Sequence, residues 1–112
     1  AVRAPDGTLI QDSCESSVPM REFGDDEIDR YLDGGGPFDK AGGYGIQDGV
    51  FEPVDLRSFH DCYANVMGLP LCHVVRTLRR LGVELAADVP AACMAALEYD
   101  CAVYPAILAE TT

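Results

Sequence analysis

Apolar and polar positions change period several times along the chain, and each change marks an element. Asp6-Gly7 is a two-residue turn signal between Val2-Arg3 and Thr8-Leu9-Ile10, which predicts an opening β-hairpin. The second strand is expected to run on through Cys14 to Met20, where Ser and Glu content and Pro19 suit a sheet edge. From Gly24 the period lengthens. Asp25, Asp26 and Glu27 are acidic first-turn residues, and Ile28, Tyr31 and Leu32 recur at i, i+3 and i+4. This spacing predicts a short amphipathic helix that stops at Gly34-Gly35-Gly36-Pro37.

Residues 38–49 form a glycine-rich loop with Lys40, Tyr44, Ile46 and Gln47 as its bulky insertions, and such a loop lets backbone approach a ligand closely. Residues 50–59 alternate loosely and predict a strand, which Pro53 places at an edge or bulge. Residues 70–81 give the clearest helix: Pro70 suits its first turn, Leu71, Val74, Val75, Leu78 and Leu81 share a face, and Gly82 stops it. Arg76, Arg79 and Arg80 are expected on the outer face and in the last turn, where cations complement the helix dipole. A shorter helix is expected over 90–97, and the apolar tail 101–110 is expected to pack extended. Strands and helices intermix, so the fold class is α/β, a mixed sheet with flanking helices whose edges imply continuation in sequence outside this chain.

At 112 residues, the expectation is one domain with one modest core, and residues 83–112 form a C-terminal extension whose packing the pattern leaves open. Apolar residues make up 48% of the chain and charged residues 24%, which is globular composition. The net charge of −11 sets a repulsive long-range field against phosphates, so bare nucleic acid is excluded as an expected partner. Lys40 is the single lysine among eight basic residues. There is no 18-residue apolar run and no apolar signal core, so no membrane partner is expected and a cytoplasmic setting is. An odd count of five cysteines without a close pair fits reduced thiols. The opening at Ala1, without an initiator Met, is the expected look of an internal cut in a longer protein.

Gly36-Pro37-Phe38-Asp39-Lys40-Ala41-Gly42-Gly43-Tyr44-Gly45-Ile46-Gln47 is very similar to the Gly-x-Pro-x-Asp-Lys-Ala-Gly-x-Tyr-Gly-Ile-Gln signature of the Maf family. A second block, Tyr63-Ala64-Asn65-Val66-Met67-Gly68-Leu69-Pro70-Leu71, resembles that family's Tyr-x-Asn-Val-x-Gly-Leu-Pro-Leu segment. Asp26-Glu27-Ile28 and Tyr31 also look like the family's pattern, and the resemblance runs from about Cys14 to Gly82. It implies part of a two-lobed fold related to inosine triphosphate pyrophosphatases, with the N-terminal lobe missing. It further implies hydrolysis of a nucleoside triphosphate to monophosphate and pyrophosphate with Mg²⁺ or Mn²⁺. The family's Ser-x-x-Arg phosphate loop and its general-base aspartate belong to the half that is not here, so no catalytic residue is expected in this segment. The expected partners are a nucleoside triphosphate and a second copy of the chain. At Gly43 the family signature more often has alanine.

Gln47 matches the glutamine that the family places at the base, and its amide can both donate to and accept from a base edge. The alternative is a loop-capping amide. Lys40 matches the loop lysine, whose ammonium could sit near phosphate as a point charge; the alternative is a salt bridge to Asp39 or Asp48. Gly42 and Gly45 give the loop its freedom, Tyr44 is expected to plug it onto the core rather than stack on a base, and Asn65 is expected to cap the turn ahead of the 70–81 helix.

Outside the signature, His60, Cys62, Cys72, His73, Cys93 and Cys101 are soft ligands that would suit Zn²⁺ or a cluster if the fold gathered them. Their spacing lacks short paired knuckles, and free cysteines are commonly small buried hydrophobes, so the second reading is preferred. Cys72 and His73 are adjacent on a helix and point about 100° apart, which excludes a nucleophilic pair. The leading expectation is therefore a nucleotide pyrophosphatase in which this segment walls the base. The rival is a non-catalytic fragment that binds nucleotide or dimerises.

Overall fold

A computed structural model describes residues 1–49 and 51–110. The elements run β1 (Val2–Arg3), β2 (Leu9–Ile10), α1 (Asp25–Asp33), α2 (Tyr63–Met67), α3 (Leu71–Arg80), α4 (Val89–Leu97) and α5 (Tyr104–Ala109). The chain divides into two compact units: Ala1–Ser16 with the chain from His60 on, and Ser17–Phe59 between them.

In the first unit, β1 and β2 pair antiparallel as expected, with Val2 opposite Ile10 and Arg3 opposite Leu9. Asp6 closes the turn by accepting the Thr8 N–H at 2.9 Å. The second strand does not continue to Met20. Residues 11–17 alternate exposed and half-buried in the manner of a strand, but side chains rather than a ladder hold them. Asn65 Nδ2 donates to the Cys14 carbonyl at 3.0 Å and to Ser16 Oγ at 3.1 Å, and Ser16 Oγ donates to the Cys62 carbonyl at 3.0 Å. Asn65 thus lies inside α2 and stitches it to the extended segment; it is not the turn cap that its position suggested.

The 70–81 helix is present as α3, but its burial differs from the expected single face. Cys72, His73, Val75, Arg76 and Thr77 are buried, while Leu71, Val74 and Leu78 are only half-buried. Arg76 is therefore an interior residue. It reaches Asp12 through Nε at 2.6 Å and Nη2 at 2.7 Å, and Glu110 through Nη1 at 3.0 Å. The helix ends in a Schellman arrangement: Gly82 sits at φ 81°, its N–H donates to the Arg79 carbonyl, and Val83 N–H donates to Leu78. The 83–112 extension packs back on this helix, α4 and α5 both lying against α3 and α4 also touching α2. The tail expected to be extended is helical from Tyr104, because Pro105 falls in a first turn, where a missing N–H costs nothing. Tyr63 and Tyr99 stack with centroids 5.0 Å apart.

In the second unit, α1 begins with three acidic residues at its positive end and carries Arg30 at its negative end. The strand expected over 50–59 starts at Val50, outside the described residues, and its described part makes a single antiparallel bridge, Met20 with Val54. Arg21 N–H donates to the Pro53 carbonyl at 2.8 Å and Asp55 N–H to the Pro19 carbonyl at 2.9 Å. Both acceptors are prolines with no N–H to return, so the ladder cannot propagate. Among the described residues the hairpin is thus the only sheet, rather than the larger mixed sheet expected.

Candidate functional site

The glycine-rich loop hangs between α1 and the Met20–Val54 bridge. Its backbone is a chain of turns: Lys40 N–H donates to Pro37, Gly43 N–H to Lys40, and Asp48 N–H to Gly45, at 3.0–3.1 Å. The last of these makes Gln47 the third residue of a four-residue turn, with its side chain exposed to solvent. Tyr44 is half-buried, and Gly42 is exposed with open space where a Cβ would stand.

Lys40 Nζ lies 3.1 Å from Asp39 Oδ1, an exposed pair of small energetic worth. Its methylenes lie over Gly45, where a Cβ would stand 3.1 Å from Lys40 Cε. Glycine at 45 thus leaves room for the lysine stem. Gly43, where the signature more often has alanine, sits at φ 81°, a left-handed conformation that glycine adopts freely and alanine does not.

Aromatic packing holds the loop from behind. Tyr31 is buried at the end of α1, stacks on Phe51 at 4.8 Å, and donates its hydroxyl to Asp48 Oδ2 at 2.6 Å. Phe23 meets Phe51 edge-on at 5.2 Å, and the Arg21 guanidinium lies 5.7 Å from the Phe23 centroid. Arg21 is itself fixed by Glu27 at 2.7 Å. Sequence reasoning missed Asp48 as a partner of Tyr31; the available signal was a carboxylate directly after Gln47 and a tyrosine in the last turn of the preceding helix.

Of the soft-ligand residues, four cysteines share one small cavity and the two histidines lie outside it. Cys62, Cys72, Cys93 and Cys101 line a small apolar cavity of about 20 Å³, room for roughly one water, with Tyr63 and Ile107 among its other walls. His60 is exposed, and His73 faces the Arg76 and Asp12 charges, with Nδ1 lacking a hydrogen-bond partner. Among the described residues no three His, Cys, Asp or Glu side chains meet in a group that could hold a metal ion. Burial pushes the Cys72 thiol up to about 11 and raises Cys93 and Cys14 as well, so the protonated form, a poor ligand and nucleophile, is favoured at neutral pH.

A family model described as Maf-like protein matches residues 1–81, almost three-quarters of the chain. The chain belongs to the Maf-like family. The match takes in the hairpin, α1, the glycine-rich loop, α2 and α3, and ends just before Gly82, so α4 and α5 lie beyond the Maf-like region. The dTTP/UTP pyrophosphatase of Dehalococcoides mccartyi is 44% identical over 81 residues, which are 72% of this chain and 35% of that protein. Those of Agathobacter rectalis (44% over 71 residues, 63% of this chain and 34% of that one) and Geotalea uraniireducens (45% over 74, 66% and 37%) are similar. The chain thus spans about a third of the length of the relatives it matches. No solved structure matches it.

Proposed function

We propose that this chain is the base-side portion of a nucleoside triphosphate pyrophosphatase, an enzyme releasing pyrophosphate and a nucleoside monophosphate. The observation that carries the reading is Gln47, a solvent-facing amide at the tip of a turn in the family's signature loop. An exposed amide that donates and accepts can pair with the edge of a uracil or thymine base, which is the substrate class in the relatives' names. Lys40 adds a cation to the same loop, shared with Asp39. A homodimer and a cytoplasmic setting belong to the same proposal.

The chemistry itself requires phosphate binding, charge neutralisation and an oriented water. The Mg²⁺ or Mn²⁺ of the family, when bound, would neutralise phosphate charge. The described residues do not gather the donors for it. With a net charge of −11 and its single lysine already paired, the chain alone is proposed to be inactive, its partner lobe supplying the phosphate loop and general base. A pyrophosphate-release assay on the 112-residue chain, with either metal and a panel of triphosphates, should show no turnover. Turnover abolished by Lys40→Ala and Gln47→Ala would instead make this segment catalytically sufficient. The rival, a non-catalytic fragment that binds nucleotide or dimerises, is favoured by the exposed Leu69, Met67 and Leu85, which offer apolar surface for association.

A further inference from the structure

Three features of the second unit converge on one side chain. A Cβ at Gly36 would collide with Tyr31 Cε1 and lie 2.9 Å from Cζ, so the loop leaves α1 with its backbone pressed against the Tyr31 ring. The same ring stacks on Phe51, on the far side of the loop in sequence. Its hydroxyl then reaches Asp48, the residue whose N–H closes the Gly45–Asp48 turn and which directly follows Gln47.

We propose that Tyr31 is a positioning residue for substrate selection: it clamps both ends of the glycine-rich loop, at Gly36 and Asp48, and thereby fixes how Gln47 is presented. A loop carrying several glycines has many conformations to lose, and ordering them at the moment of binding would weaken selectivity. Anchoring the loop in advance removes that cost. The ring supplies packing, and the hydroxyl supplies register, because a 2.6 Å bond to a carboxylate is charge-assisted and directional. The Asp48 carboxylate also pushes the Tyr31 phenol up to about 12, so the hydroxyl remains protonated and able to donate throughout the neutral range. For its functional consequence the inference rests on the base-contact reading of Gln47; the anchoring stands by itself.

The test separates hydroxyl from ring and anchoring from function. Tyr31→Phe keeps the stack on Phe51 and the fit under Gly36 and deletes only the hydrogen bond. Amide hydrogen exchange on the 112-residue chain should show the Lys40, Gly43 and Asp48 N–H groups exchanging about tenfold faster in Tyr31→Phe, with α3 unchanged. Asp48→Ala should loosen the loop at least as much, the double variant should be no worse than Asp48→Ala alone, and Asp48→Asn, which keeps an oxygen acceptor, should restore protection. A ring with a purely space-filling role would give a different result: Tyr31→Leu would loosen the loop and Tyr31→Phe would not, which overturns the proposal. Turnover of UTP and dTTP against CTP in the full-length enzyme then reads the consequence, with Tyr31→Phe expected to narrow discrimination about tenfold. Substrate ranking unaffected by Gln47→Ala would remove the base-contact reading and leave the anchor standing. Ranking sensitive to Gln47→Ala but indifferent to Tyr31→Phe, with exchange unchanged, would remove the anchor alone.

Discussion

Arg76 shows how far one side chain can depart from its sequence pattern. Its spacing from Arg79 and Arg80 reads as an exposed basic face, yet its side chain is 9% exposed and bridges Asp12 and Glu110. The pattern could not show this, because the partner that draws it inward is 64 residues away in the chain. Removing one member of a buried pair strands the other, so Arg76→Met should cost about 3–5 kcal/mol in urea unfolding, and Asp12→Leu with Arg76→Met together should cost far less. The Arg76 guanidinium, bonded to both carboxylate oxygens, holds the Asp12 pKa far below its ordinary 3.8. Its contribution to stability is therefore present above that value and lost as the pH falls below it. Burial, and then Arg76, lower His73 from 6.5, so its neutral form stabilises the fold above that pH and acid that charges it destabilises. Unfolding free energy should fall first below about pH 6.5 and again below about 3.8, and Arg76→Met should flatten the second step. The loop residues were easier to read. Gly43 was recognisable as a departure from the signature, and its φ of 81° supplies the reason; Gly43→Ala, with no steric neighbour, should cost about 1 kcal/mol by thermal melting, from conformation alone.

Among the elements, those announced by period and punctuation were legible: the opening hairpin, α1 between its acidic start and Gly34, and α3 up to Gly82. Those settled by absent donors or distant contacts were not. Pro19 and Pro53 each read as edge markers, but that they stand on facing segments, Pro19 opposite Asp55 and Pro53 opposite Arg21, which reduces two expected strands to the Met20–Val54 bridge, is visible only in the fold. Helix α5 was missed because Pro105 in an apolar run suggests extension, although proline is equally at home in a first turn. Helix α4 was legible from Pro90 and ends at Glu98 in a left-handed conformation. Its start has a clear handle: Asp88 Oδ1 accepts the Ala91 N–H at 3.1 Å. Asp88→Ala should cost about 1 kcal/mol, read as a lowered urea midpoint, while Asp88→Asn should be nearly silent.

For the whole molecule, the Maf-like match ends where α4 and α5 begin, and these two helices cover α3 and close the cavity beside Cys62, Cys72 and Tyr63. Ending the chain at Gly82 should therefore expose that apolar wall and give larger assemblies in light scattering than the 112-residue chain forms at the same concentration. The candidate site was legible to the extent that a signature string could name Gln47 and Lys40. What holds them, the Tyr31 contacts at Gly36 and Asp48 and the lysine stem over Gly45 within the loop, depends on side-chain geometry that no string contains. The central claim is that the loop carries the base-reading residue of a nucleoside triphosphate pyrophosphatase. It is tested most directly by kcat/KM for pyrophosphate release from UTP, dTTP, CTP and GTP in the full-length enzyme with and without Gln47→Ala. A lost base contact should shift the relative preference among these substrates by about 1–3 kcal/mol, roughly 5- to 150-fold. Rates that fall equally for all four, or do not change, would contradict it.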